Sequence, residues 1–224
     1  MSRLGLFCSV AALALAMPAL ADPITPKAGA LPSPAEAFPT EPGSDYYLAN
    51  YDAYEKYLKT LAAQSDRMKL IDIGKSAEGR TMWTAVVSSP ANLAKLDRYQ
   101  EIARRLAKAE GVSEAEAKAL AAEGRAIVWI DAGLHATETV TTQSQIHVLY
   151  RMLTGQDAET KRILDETIVL FGHDNPDGLQ LVADWYMRNK DPKDREFRTI
   201  PRLYQKYVGH DNNRDSFMSQ MPET

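Results

Sequence analysis

Cysteine is nearly absent. Cys8 is the only one in 224 residues, and it lies in an apolar amino-terminal stretch. Without that stretch the chain has no disulfide, no thiol nucleophile and no cysteine-ligated zinc site. Histidine is scarce as well: the four imidazoles are His135, His147, His173 and His210. Positive charge is in deficit, with 26 Lys and Arg against 30 Asp and Glu. That balance argues against a nucleic-acid binder, which needs a basic face. Long hydrophobic runs are missing too. The apolar run over residues 4–17 is shorter than the roughly 20 residues that a membrane-spanning helix needs. Arg3 precedes this run and Ala19-Leu20-Ala21 follows it, the pattern of a secretory signal peptide over 1–21, cut before Asp22. Phe7 stands where a lipid-attachment site at Cys8 would want a small residue. The expected location is secreted or periplasmic, with no membrane association after cleavage.

What is present reads as one α/β domain. Residues 22–44 are rich in Pro, Ala and Gly and are expected to form a linker or extended arm, leaving 45–224 as the folded domain. Leu48, Tyr51, Tyr54, Leu58 and Leu61 recur at helical spacing, so the tyrosines belong to a buried face rather than a carbohydrate platform. Two strand-like runs, 68–73 and 82–87, flank the hairpin-like segment GKSAEGRT. An amphipathic helix follows through Leu93, Leu96, Tyr99, Ile102 and Leu106, with Asn92 as its expected cap. Ser113 and Glu116 form a capping box for a shorter helix that Gly124 ends. The run AIVWID (126–131) is continuously apolar and predicts a central strand covered on both faces. A helix after Glu138, closed by Gly155, and a buried strand over 167–172 complete the pattern. The expected fold is α/β, a mixed, mostly parallel central sheet with helices on both faces.

The chemistry gathers behind the two apolar strands. Open α/β sheets bind ligands beyond the carboxyl ends of their strands. His135 and Glu138 lie just past the strand at 126–131, and His173, Asn175 and Asp177 lie just past the strand at 167–172. If these strands are parallel neighbours, both groups converge on one edge. A His-x-x-Glu pair across a strand-to-helix turn can aim a nitrogen and an oxygen at one metal, and zinc accepts both. His147 is nine residues past Glu138, roughly 13 Å along a helix, too far to share that metal.

Four segments in order, SAEGRTMW, GLHATE, NPDG and GHDNNRD, resemble those of the metallocarboxypeptidases of the carboxypeptidase A type. The resemblance covers most of 45–224. It implies that His135 and Glu138 bind Zn2+, that Asn213 and Arg214 hold the free carboxylate of a peptide substrate, and that Arg188 stabilises the oxyanion. An arginine suits carboxylate binding because its planar fork donates two parallel hydrogen bonds. Thr137 stands where the family often carries an arginine. In the family a third zinc histidine and a general-base glutamate come later, and neither is among these residues. The chain is therefore expected to be the amino-terminal part of a longer enzyme, weak in zinc binding and inactive alone. Two other functions stay open: a zinc-dependent N-acyl amino acid deacylase of the aspartoacylase type, and a non-catalytic peptide-binding protein.

Overall fold

The computed structural model describes residues 31–224. The expected signal peptide and its cleavage site lie outside the described residues. In chain order the elements are α1 (Pro34–Ala37), α2 (Tyr51–Gln64), β1 (Met68–Lys75), β2 (Thr81–Val87), α3 (Pro90–Leu93), α4 (Leu96–Lys108), α5 (Glu114–Glu123), β3 (Ala126–Ile130), α6 (Val140–Thr154), α7 (Ala158–Glu166), β4 (Thr167–Phe171) and α8 (Pro176–Met187). Two short 3-10 turns follow, Pro192–Asp194 and Asn212–Phe217.

The four strands form one mixed sheet in the order β1-β2-β4-β3. β1 and β2 are an antiparallel hairpin, β2 and β4 are antiparallel, and β3 and β4 are parallel. The parallel share is smaller than the apolar runs suggest, because a tight hairpin joins β1 to β2 and forces them antiparallel.

Strand alternation sorts side chains into two cores. On one face Ala85, Val87, Val169 and Phe171 pack with Tyr54, Leu58, Leu61, Ile146 and Leu149 from α2 and α6. On the other face Val86 and Ile168 pack with Leu93, Tyr99, Ile102 and Leu120. Successive residues of β2 and β4 thus serve opposite cores, as a pleated strand requires. The tyrosine stripe of α2 is core: Tyr51, Tyr54 and Tyr57 are buried, and their hydroxyls donate to Thr81 O, Gln145 Oε1 and Pro32 O. The segment just before α2 is docked as well, with the Phe38 ring 5.2 Å from that of Tyr57.

Three local expectations need correction. α2 starts at Tyr51, after Leu48, because the Asn50 side chain caps it by accepting the Ala53 N–H. Asn92 does not cap the long helix. It sits inside α3 with its amide buried, donating to Ser88 Oγ, Leu164 O and Asp165 O. Among the described residues β3 lies at the edge of the sheet, where its apolar run suggests a central place. Among these residues it pairs with β4 alone, and all five of its residues are exposed. Among the described residues no strand lies beyond it, so apolar composition alone does not reveal its place in the sheet.

Candidate functional site

The loop between β3 and α6 carries the His-x-x-Glu pair. The parallel ladder continues past the strand ends, with the Gly172 N–H donating to Ile130 O and the Asp174 N–H to Ala132 O, so the two post-strand loops run side by side. Gly133 then turns the chain with φ +79, and a Cβ there would stand 2.5 Å from the His173 ring. Only glycine meets both demands at this position. A turn closed by the Glu138 N–H on His135 O brings the two side chains together. His135 Nδ1 lies 3.2 Å from Glu138 Oε1.

Two asparagines fix this loop from outside. Asn175 Nδ2 and Asn212 Nδ2 both donate to Leu134 O, at 3.2 and 2.5 Å. The other end of the Asn175 amide also serves, since its Oδ1 accepts the Gly178 N–H and caps α8, with Pro176 at the first helical position. The NPDG segment is therefore a helix start rather than a free-standing turn.

His135 is flanked by carboxylates on both ring nitrogens. Its Nε2 lies 3.1 Å from Asp211 Oδ1. Asp211 raises the imidazole pKa above its ordinary value; partial burial opposes the rise and Glu138 adds to it. In return the imidazole lowers the Asp211 carboxyl, helped by the Asn213 N–H. Tyr204 closes one side, its ring 6.2 Å from that of His135 and edge-on. Neither Asp211 nor Tyr204 is among the residues that the sequence motifs assign to the site. Asp211 has a signal, its place in GHDNNRD, whereas nothing in the sequence marks Tyr204.

The remaining candidates divide. His173 is buried, bonds Thr142 Oγ1 through Nε2, and packs against the rings of Tyr51 and Tyr54. Burial pushes its pKa down to about 3, so it is a neutral core histidine. Asp177 turns away from the pair. Its carboxylate accepts from Ser76 Oγ, the Glu78 N–H and Arg80 Nη1, tying the β1–β2 hairpin to α8. Asp174 is raised to about 8, by burial first and then by Asp131 beside it. His147 bonds Pro42 O, away from the loop. His210 bonds Asp215.

Asn213 and Arg214 occupy the 3-10 turn Asn212–Phe217, which Asp211 caps by accepting the Asn213 N–H. The same segment thus carries the carboxylate behind His135 and both residues assigned to the substrate. Arg214 is exposed, and among the described residues no carboxylate pairs with it at salt-bridge distance. Arg188 stands apart. It follows α8, thirteen residues and so about 20 Å along the axis from Asn175. Its guanidinium lies over the Trp185 ring at 3.7 Å and bonds Glu196 Oε1 at 3.2 Å. It lines a groove of about 320 Å³ with Arg80, Asp184 and Arg202, not the His135 loop.

Among the described residues no three His, Cys, Asp or Glu side chains are grouped to hold a metal ion. The donor set nonetheless fits part of a zinc site. Ligands about 2.1 Å from a tetrahedral metal stand about 3.4 Å apart, and the His135–Glu138 separation of 3.2 Å is close to that.

The chain belongs to the zinc carboxypeptidase family, whose profile matches residues 54–223. Among solved structures, it is similar to carboxypeptidase A from Helicoverpa armigera, at 17% identity and TM-score 0.42, over 60% of this chain and 26% of that one. It is also similar to thrombin activatable fibrinolysis inhibitor, at 15% identity and TM-score 0.44, over 69% and 31%. A third is a metallo-carboxypeptidase from Burkholderia cenocepacia, at 16% identity and TM-score 0.41, over 62% and 33%. The chain thus spans between a quarter and a third of the length of these solved chains. No curated protein matches it.

Proposed function

We propose that these residues form the amino-terminal part of a secreted or periplasmic zinc metallocarboxypeptidase site, which hydrolyses the carboxy-terminal bond of a peptide. The observation that carries this reading is the 3.2 Å approach of His135 Nδ1 to Glu138 Oε1, with Asp211 on the opposite ring nitrogen. His135 and Glu138 would hold the zinc. When bound, zinc supplies a water of lowered pKa and polarises the scissile carbonyl.

The side chains around it divide the work. Asp211 keeps a proton on His135 Nε2 and so presents the Nδ1 lone pair to a metal, the usual use of a carboxylate behind a liganding histidine. Without metal, Nδ1 shares its proton with Glu138. Asn175 and Asn212 fix the backbone before His135, which leaves the imidazole little freedom to swing. Arg214, exposed and without an ion-pair partner among the described residues, is available to a peptide's terminal carboxylate, with Asn213 beside it. Arg188, assigned to the oxyanion, would have to leave Glu196 and the Trp185 ring to reach a substrate carbonyl.

Two measurements test this. Zinc should bind the 224-residue chain weakly, and His135→Ala should abolish that binding in a calorimetric titration; unchanged affinity would remove the pair from the metal site. In the full-length enzyme, Arg214→Ala should raise the Michaelis constant for a free-carboxylate peptide by about 10-fold, the loss of one charge-assisted bond of about 1.5 kcal/mol. It should change little for the corresponding amide. An equal loss on acid and amide would make Arg214 a structural residue.

A further inference from the structure

Arg214 is exposed, but the next residue, Asp215, is fully buried. Its carboxylate collects donors from both directions along the chain. His210 Nε2 lies 2.6 Å from Oδ1. The Gln220 N–H reaches both oxygens, at 3.1 and 3.0 Å, and the Met221 N–H reaches Oδ2 at 2.8 Å. The Asp215 carbonyl also accepts the N–H groups of Met218 and Ser219. One buried carboxylate thus closes a bracket running from His210 to Met221. Bonds to an ionised acceptor in a dry setting are strong, and a network of them is rigid.

Inside the bracket lie Asp211, which touches His135, and the Asn213–Arg214 pair. On the inner side the segment is pinned to the His135 loop by Asp211 and by Asn212 on Leu134 O. On the outer side Asp215 and His210 hold it. We propose that Asp215, through its bond to His210, is a positioning residue that fixes the separation between the His135–Glu138 pair and the Asn213–Arg214 pair. That separation is the ruler of an exopeptidase, because it sets how many residues fit between the cleaved carbonyl and the gripped carboxylate. One residue of extended chain spans about 3.5 Å, so a small drift spoils the register. The inference rests on the carboxylate-binding reading of Arg214 above.

The test is binding of a blocked free-acid dipeptide against its amide to the metal-free protein, followed by the Arg214 Nε–Hε resonance in NMR spectra. His210→Ala removes one arm of the bracket and leaves the backbone bonds to Asp215 in place. It should cut the acid-over-amide preference by about 10-fold while the thermal midpoint stays within a few degrees of wild type. His210→Gln, which keeps an N–H donor, should restore most of the preference. Asp215→Asn should resemble His210→Ala if it folds, and His210→Ala carries the test if it does not. Preference retained in His210→Ala while Arg214→Ala abolishes it would overturn the positioning role. Preference untouched by Arg214→Ala would instead overturn the carboxylate-binding reading, a separate failure.

Discussion

His135 has a carboxylate at each ring nitrogen, and the stronger influence comes from a residue 76 positions away, Asp211. A histidine whose pKa is raised by pairing stabilises the fold at pH values below its unfolded value of 6.5, and that contribution disappears as pH rises through the raised value. In Asp211→Asn the neutral amide no longer favours the imidazolium. His135 should then titrate at lower pH, read from its Cε1–H resonance, and stability of the metal-free protein should decline less between mildly acid and mildly alkaline pH. An unmoved titration would mean that Asp211 does not govern the ring. The same variant should lower zinc affinity by about 10–100-fold, the usual effect of losing the carboxylate behind a liganding histidine. His-x-x-Glu is visible in the sequence because its two residues share one turn. GHDNNRD marks Asp211, but its pairing with His135, like the place of Tyr204, exists only after distant segments meet. The burial of His173 is equally hidden, since its position just past a strand end resembles that of His135.

At the scale of elements, Asp177 couples the hairpin to α8. It is 6% exposed and accepts from three donors in the turn between β1 and β2. Asp177→Ala leaves a half-buried Arg80 and two other donors without their acceptor, which should cost about 2–3 kcal/mol in chemical denaturation; a loss under about 0.5 kcal/mol would place the coupling elsewhere. This joint also explains why SAEGRT and NPDG occur together: Ser76, Glu78 and Arg80 address the aspartate of NPDG, and its asparagine addresses Leu134. Local signals in the sequence locate the elements well. The hairpin, the Ser113 cap and the glycine stops after α5 and α6 all depend on neighbours a few residues apart, and they lie where expected. Position within the sheet is a different matter. AIVWI reads the same in a central strand as at an edge, because composition reports burial preference and not whether another strand is there to provide burial.

At the scale of the molecule, β3 presents a continuous exposed apolar run among the described residues. Ile127, Val128, Trp129 and Ile130 are each 39–47% exposed, and no charge interrupts them. Uncharged, apolar edge strands template association. The isolated chain should therefore self-associate at high concentration, and Val128→Lys should suppress this in light scattering without changing far-UV circular dichroism. A wild-type chain that stays monomeric would show that the edge is covered in solution. The double clasp on Leu134 O carries a consequence for timing. Its two amides come from residues 41 and 78 positions further along the chain. During synthesis His135 leaves the ribosome with neither clasp made, and at common elongation rates Asn212 follows several seconds later. The loop that carries the imidazole is clasped from both sides only once that later segment arrives, so in a nascent chain the proposed metal pair has yet to be held in place.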